Sequence, residues 1–401
     1  MDVRCVPAGS LLRAAAILLL ALNLRPAIAA IGPLLDLIEA STGLTHTEAS
    51  LLTTLPVLVM GLCALFGAHL RRLLGERGGI AIGAAIVFVA CLARVALTGR
   101  EGLIWTAILV GIGIALVQTL LPTFIKREFP MQSGRIMGVY TTGIMGGAAI
   151  AAATAAGLAE HLGWPATLAV WCIPAALAVL FWLMATWRGK GGIPSIPQPR
   201  TVHPRCTYLS FWRSLRAWEL LVFFGIGTGA YTLVLAWLPP FYTALGWSRS
   251  DAGFLLGGLT ITEVVAGLMV SAFIGRFPDR RGPLIVVLAL LLTGLICLIA
   301  APLSLAVVAC GLLGTGIGAL FPLSLILTLD HIDDPARAGE LASFVQGGGY
   351  IIASAMPLLA GILRDQFSDL SQAWMVMAAG ALLPIGMSTR FSPASYLRLS
   401  R

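Results

Sequence analysis

The stretch RGKGGIPSIPQPRTVHPRCTYLSFWRSLRA, residues 188–217, is the longest polar segment of the chain, and the rest of the sequence falls into place around it. It holds six basic residues, four prolines and three glycines, a composition that favours a linker over a packed core. The sequence on either side has the opposite character. Of 401 residues, 58% are hydrophobic and 11% charged, whereas a soluble domain carries about a quarter charged residues. Toward the N-terminus the apolar runs are 11–35, 48–70, 79–98, 102–125, 136–158 and 165–187. Toward the C-terminus they are 218–242, 251–274, 283–300, 303–329, 341–363 and 372–390. Such runs match a hydrocarbon layer ~30 Å thick. The chain therefore reads as an all-α membrane protein with twelve transmembrane helices: an N-terminal six-helix half (1–187), a cytoplasmic linker (188–217) and a C-terminal six-helix half (218–401).

Loop charge orients these spans. Of the 26 Lys and Arg residues, 21 lie in the termini and even-numbered connections, counting Arg13 and Arg390 at the outer ends of the first and last runs; only Arg100, Arg249 and Arg364 lie in the odd ones, and Arg25 and Arg94 are deeper inside spans. Basic residues collect on the cytoplasmic side. One miscounted span would reverse every later loop, so the asymmetry supports an even number of spans and cytoplasmic N- and C-termini. An internal echo agrees with two parallel halves: Gly111-Ile112-Gly113 recurs as Gly316-Ile317-Gly318, and Pro130 and Pro335 share the same 205-residue offset.

Several function classes are disfavoured. The formal charge of +8 is spread over short connections, unlike the basic face of a nucleic-acid-binding module. Five of the seven cysteines (Cys63, Cys91, Cys172, Cys297, Cys310) lie in apolar runs, and the sequence has no CxxC or Cys/His cluster, so neither a disulfide framework nor a metal site is expected, and no cofactor. The N-terminal run resembles a secretory signal up to Ala27-Ile28-Ala29, yet Arg25-Pro26 interrupts it and the apolar character continues to Leu35, which favours a retained first span. A membrane-embedded enzyme would need paired acids, a serine with its base, or metal ligands, and all five histidines (46, 69, 161, 203, 331) fall in loops or at span ends. There is no Walker A sequence for ATP-driven transport and no soluble output domain for a sensor.

The loop Gly275-Arg-Phe-Pro-Asp279-Arg280-Arg281-Gly282 resembles the Gly-x-x-x-Asp-Arg-x-Gly signature of the major facilitator superfamily. That superfamily's fuller copy follows span two, where this chain reads Gly67-Ala-His-Leu-Arg71-Arg72-Leu-Leu-Gly75, with arginine in place of aspartate. A narrower set is similar to the cyanate transporter family, which includes relatives linked to nitroimidazole export. It comprises Asn23-Leu-Arg25-Pro26, Gly32-Pro-Leu-Leu35, Leu51 to Pro56, Gln118 to Pro122 with Ile125-Lys-Arg127, Ala236 to Pro239, Phe321-Pro-Leu323, Leu329-Asp-His331 and Gln346-Gly347. The resemblance implies a major facilitator fold and secondary active transport by alternating access. The implied substrate is a small anion, with cyanate the best-known member, or a small polar heterocycle; the implied location is a bacterial-type inner membrane. In this reading Gly275, Asp279, Arg280 and Gly282 form the conformational motif.

Within the spans, Arg25 lies about 3 Å from the middle of the first run, where a charge costs at least ~2.5 to 3.5 kcal/mol. It reads either as an arginine pinned structurally beside Pro26 or as an anion ligand in a central cavity, for which a planar, permanently charged fork of donors is suited. Glu263, mid-way along span eight, is the deepest acidic residue; it is a glutamate bonded to a neighbouring helix, a partner for Arg25, or the carrier of a coupling proton. Asn23, Gln118 and Gln346 suit hydrogen bonding to a small ligand and equally suit interhelical contact. Tyr231 and Trp237 are candidates for cavity walls or for the interfacial belt, and Arg94 for snorkelling to the interface. Gly143/Gly147 and Gly253/Gly257 form small faces on spans five and eight, which the superfamily's fold places against each other.

Orientation is directly testable. Reporter tags at Ser195 and at the C-terminus are expected to read cytoplasm and one at Thr45 the opposite side; a C-terminal tag on the same side as Thr45 would remove the twelve-span reading.

Overall fold

A computed structural model of the chain describes residues 8–129, 131–187, 211–332, 334–367, 369–393 and 396. Residues 188–210 of the expected linker lie outside the described residues, as does Pro130 of the internal echo. The first span is not one helix but three pieces, α1 (Ala8–Asn23), α2 (Pro26–Ala29) and α3 (Ile31–Thr42). Then come α4 (His46–Leu65), the short α5 (Gly67–Leu74), α6 (Glu76–Ala93), α7 (Arg100–Glu128), α8 (Ser133–Val170) and α9 (Cys172–Trp187). Beyond the linker lie α10 (Leu215–Ala244), α11 (Arg249–Phe273), α12 (Arg281–Ala300), α13 (Ala306–Leu329), α14 (Pro335–Phe367) and α15 (Ser371–Ser388).

Among the described residues, ten segments are long and apolar enough to cross a membrane. One of them, Gly134–Thr186, has 53 residues and would extend about 80 Å as a single helix, far more than a bilayer needs. It turns at Gly163, whose φ of 76° and ψ of 159° are not helical; the parts before and after the turn both pack on α1. That makes two passes. With α15, an 18-residue helix of about 27 Å, the described residues make twelve passes, as the apolar runs predict.

The two halves reuse the same local devices. Gly43 (φ 70°) ends α3 and Gly246 (φ 93°) follows α10, each in a left-handed conformation that glycine adopts freely. Two residues later Thr45 and Ser248 cap the next helix through the backbone N–H of Glu48 and Asp251. The two copies lie 203 residues apart, a repeat clearer than the Gly-Ile-Gly echo. That echo also has a structural counterpart. Gly111 and Gly113 allow α7 to approach Pro56 and Gly83, and Gly318 and Gly316 allow α13 to approach Glu263 and Leu291.

Contacts between the halves are uneven. The helices α4 and α14 touch along their length, from His46 and Ser50 against Gly361 to Gly61 and Leu65 against Gly347. Between α8 and α11 the close glycine contacts lie toward the end of the odd-numbered connections. There a Cβ on Gly253 would stand 2.7 Å from the Ala152 carbonyl and one on Gly257 2.9 Å from Ala153. The Gly143/Gly147 face, expected against span eight, instead packs on α1 at Ala21 and Leu22. Alanines of α8 supply the contact with α11.

Polar contacts follow the same division. At the end carrying the odd-numbered connections, Asp36 pairs with Arg364 at 3.5 Å and accepts from Thr243. Asp365 accepts from the backbone N–H groups of His46 (3.1 Å) and Thr47 (2.9 Å). These contacts join the two halves. At the basic end Glu128 pairs with Arg13 and Arg77, Glu76 with Arg127, Glu219 with Arg216 and Arg390, and Asp330 with Arg280. Among the described residues, each of these pairs stays within one half.

If these contacts hold one end shut, Asp36→Ala is expected to weaken the closure by about 1 kcal/mol, raising the population open at that end about fivefold. Labels placed on the ends of α3 and α10 and read by pulsed electron resonance would show it. Unchanged distances would mean that Asp36 has no part in the seal.

Candidate functional site

The site begins with the break in span one. After Asn23 the chain turns tightly, Leu24 N–H donating to Ala21 O at 3.1 Å, and Pro26 opens α2 at a position where its missing N–H is no loss. The helical bond that Pro26 cannot make would have used the Leu22 carbonyl. That carbonyl faces Gly147, where a Cβ would come within 2.1 Å of the oxygen. A second carbonyl at the break, Ala27 O, accepts from Arg94 Nη1 at 2.8 Å. Arg94 is only 1% exposed. It does not snorkel to the interface, because its donors are engaged inside the bundle. Span one is thus held bent, with Arg25 at the bend.

Arg25 lines a cavity of about 350 Å³ together with Gln118, Tyr231, Glu263, Phe321 and Tyr350. Arg25 and Glu263 are 4% and 3% exposed. They belong to different halves and share the cavity, yet no ion pair joins them. The guanidinium carbon lies 5.4 Å from the centre of the Tyr231 ring, within the range of a cation–π contact, and Tyr350 lines the same cavity. Among the described residues, Arg25 Nε, the Tyr231 hydroxyl and both carboxylate oxygens of Glu263 have no hydrogen-bond partner. The cavity runs between α8 and α11, from Glu263 past Thr141 and Leu268 to Gly134 and Ser271 at the basic end. Its lining reaches toward the basic end and does not include Asp36, Arg364 or Asp365, which bind across the halves at the other end.

The other candidate residues divide. Asn23 does not reach the cavity: its amide donates to Leu19 O (2.8 Å) and Pro174 O (2.9 Å), which occupies both hydrogens in joining α1 to α9. Gln346 lies outside the cavity lining, one helical turn before Tyr350, which is within it. Trp237 is fully buried, donates to Pro357 O at 2.9 Å and stacks under Arg364; it is part of the core, not of an interfacial belt. Tyr350 was not singled out from sequence. Its signal was a tyrosine near the middle of span eleven, matching Tyr231 in span seven.

In the loop after α11, Arg280 donates to the carbonyls of Ile274 (2.7 Å) and Phe277 (2.6 Å) and to Asp330 (2.9 Å), tying the end of α11 to the end of α13. Asp279 instead pairs with its neighbour Arg281 at 2.6 Å, whose guanidinium holds the carboxyl below the usual range. Gly275 and Gly282 have open space where a side chain would begin.

The sequence matches the Major Facilitator Superfamily over residues 17–357 and again over 234–396. The chain belongs to this superfamily. It is 35% identical to the cyanate transport protein of Escherichia coli (strain K12) over 387 residues, covering 96% of this chain and 98% of that one. It is 32% identical to the 2-nitroimidazole transporter of the same organism, covering 92% of each. These relatives place it in the cyanate transporter family, as a multi-pass membrane transporter of small molecules and not an enzyme. Among solved structures, the fold resembles that of a D-xylose-proton symporter (TM-score 0.72, 17% identity, 94% and 96% covered). It also resembles the nucleoside transporter NupG (TM-score 0.74, 12% identity, 94% and 99% covered).

The role of Arg94 in holding the bend can be measured. Arg94→Met removes a charged donor and leaves Ala27 O unpaired, so stability is expected to fall by about 1.5–3 kcal/mol and transport with it, while Arg94→Lys recovers part of both. Normal melting and uptake in Arg94→Met would show that the bend needs no such partner.

Proposed function

We propose that this transporter carries a small, cyanate-like monovalent anion by alternating access, with Arg25 as the anion's ligand and Glu263 as the carrier of a coupled proton. It would act in a bacterial-type inner membrane with both termini cytoplasmic, its halves 1–187 and 218–401 rocking about the linker 188–217. The observation that carries the reading is Arg25: a buried guanidinium at the bend of span one, facing a cavity between the halves, with Nε unpartnered. A fixed positive charge in a low-dielectric cavity attracts an anion strongly. Its planar fork can also meet two acceptor atoms at once. A second reading, export of small polar compounds such as nitroimidazoles, draws support from the cavity's volume of about 350 Å³, which is roomy for a triatomic anion. Gln118 and Tyr231 would orient either ligand. In the loop after α11, Gly275, Asp279, Arg280 and Gly282 would take part in the conformational change; Arg280 already links two helices of one half.

Proton coupling gives the experiment its sign. Ionised Glu263 shares the cavity with Arg25 and opposes an incoming anion, whereas protonated Glu263 does not, so anion binding and uptake are expected to rise as pH falls. Arg25→Ala is expected to fold but to bind cyanate at least about thirtyfold more weakly, and Arg25→Lys, which keeps charge without the fork, to fall between. Glu263→Gln imitates the protonated form and should keep binding while flattening the profile between about pH 5 and 8. Wild-type affinity in Arg25→Ala would refute the ligand role, and an unaltered profile in Glu263→Gln would remove the coupling role.

A further inference from the structure

Charge is confined to one end of the cavity. Arg25 and Glu263 stand at its deep end, while the slot that continues between α8 and α11 toward the basic end is walled by apolar side chains such as Met137, Val264, Leu268 and Leu325. Two hydroxyls in that slot are already spent on their own helices. Thr141 donates to the carbonyls of Met137 (3.1 Å) and Gly138 (3.0 Å), and Ser271 to that of Gly267 (3.0 Å). At Gly134 and Gly138 a Cβ would meet nothing within 4 Å. From this division we infer that the cavity takes an amphiphilic anion, an unbranched monocarboxylate of medium length, with its carboxylate on Arg25 and its hydrocarbon chain in the slot between α8 and α11. The inference rests on Arg25 being the anion's ligand, and it extends the substrate class of that site beyond cyanate-like ions.

Length and volume agree. From Glu263 to Ser271 α11 rises about 12 Å, and from Ile144 to Gly134 α8 rises about 15 Å. An extended hydrocarbon chain advances about 1.25 Å per carbon–carbon bond, so about eight to ten carbons reach from the deep end to the mouth. A water molecule's share of liquid volume is about 30 Å³, which gives a cavity of about 350 Å³ room for roughly ten heavy atoms, as many as octanoate has. Burying the chain against the apolar walls then adds to the attraction of the guanidinium. A small anion such as cyanate would use the deep end alone and leave the slot unfilled. The carboxylate asks for no ionised Glu263: the protonated form leaves Arg25 to the ligand, in keeping with binding that rises as pH falls.

A homologous series tests this. Calorimetric titration of the purified full chain with propanoate, butanoate, hexanoate and octanoate is expected to show affinity rising about two- to fourfold per added CH₂, fourfold being the gain for full burial, and longer chains should add nothing beyond about ten carbons. Octanamide, with a chain of the same length and no charge, should bind at least about tenfold more weakly than octanoate, and in Arg25→Ala the two should bind alike. Gly138→Trp places an indole in the open part of the slot, so in a variant that melts normally the gain per carbon should end after butanoate. A flat series in the wild-type protein, which requires no variant to fold, would overturn the inference, as would a slope that survives in Gly138→Trp. If octanamide binds as tightly as octanoate, the slot takes hydrocarbon regardless of charge, as it would a lipid chain from the bilayer, and the inference falls. A cyanate titration run alongside separates the two levels. If cyanate loses affinity in Arg25→Ala while the carboxylate series is flat, the anion site stands and the amphiphilic ligand falls. If neither cyanate nor octanoate loses affinity in that variant, the reading of Arg25 as the anion's ligand falls as well.

Discussion

A guanidinium kept near the centre of an apolar bundle governs the rest of this structure, because a charge there costs at least ~2.5 to 3.5 kcal/mol and its surroundings must offset that cost without neutralising it. A continuous first helix would satisfy its own backbone and leave Arg25 on whichever face the register dictated. Pro26 prevents continuity. Two other spans approach the carbonyls freed at the break: Gly147 leaves room beside Leu22 O, and Arg94 donates to Ala27 O. A second buried arginine thus serves the backbone, and Arg25 is left to face the cavity with Tyr231 and Tyr350 beside it. Of the two deep arginines, the one whose donors are engaged is structural and the one with a free donor faces the cavity.

Alternating access requires that contacts between halves be strong enough to close one end and weak enough to exchange. Here the closed end is held by a partly exposed ion pair, a hydroxyl and a carboxylate that caps a helix start, each worth on the order of 1 kcal/mol. The smooth faces beneath them involve glycine and alanine, Gly253 and Gly257 against Ala149 to Ala153, where little side-chain interdigitation has to be undone. The basic end, by contrast, has ion pairs that brace each half internally. The polar contacts across the halves are thus few and individually modest, while those at the basic end, among the described residues, lie within each half.

The fold was legible because lipid imposes it. Span length, the 21-to-3 charge asymmetry and the proline-rich stretch are consequences of hydrocarbon thickness and loop charge, and none depends on which helix touches which. The repeat of Gly43-Leu-Thr45 in Gly246-Trp-Ser248 was equally readable and stronger than the Gly-Ile-Gly echo. The site was legible only in its charges. Arg25 and Glu263 stand out because ions in spans need a reason, but Asn23 and Gln118 are the same kind of residue in sequence and differ only in the direction each faces. One spends its donors on α9 and the other lines the cavity. Arg94 misled for a related reason: nearness to a span end permits snorkelling, and only the carbonyl at Ala27, 67 positions away in sequence, shows why it does not.

Opposite charges on opposite walls also bear on how binding and movement are joined. Arg25 belongs to the first half and Glu263 to the second, and the two are not in contact. At an effective dielectric of about 20, unit charges attract by about 2.8 kcal/mol at 6 Å and about 2.1 kcal/mol at 8 Å. A shift of about 2 Å between the halves therefore changes this one interaction by about 0.7 kcal/mol, comparable to a contact at the closed end. A ligand or proton that neutralises either charge removes the whole of it, about 2 to 3 kcal/mol at those separations. Occupancy of the cavity and the relative position of the halves thus draw on one electrostatic interaction, and the separation of Arg25 from Glu263 is what leaves it adjustable.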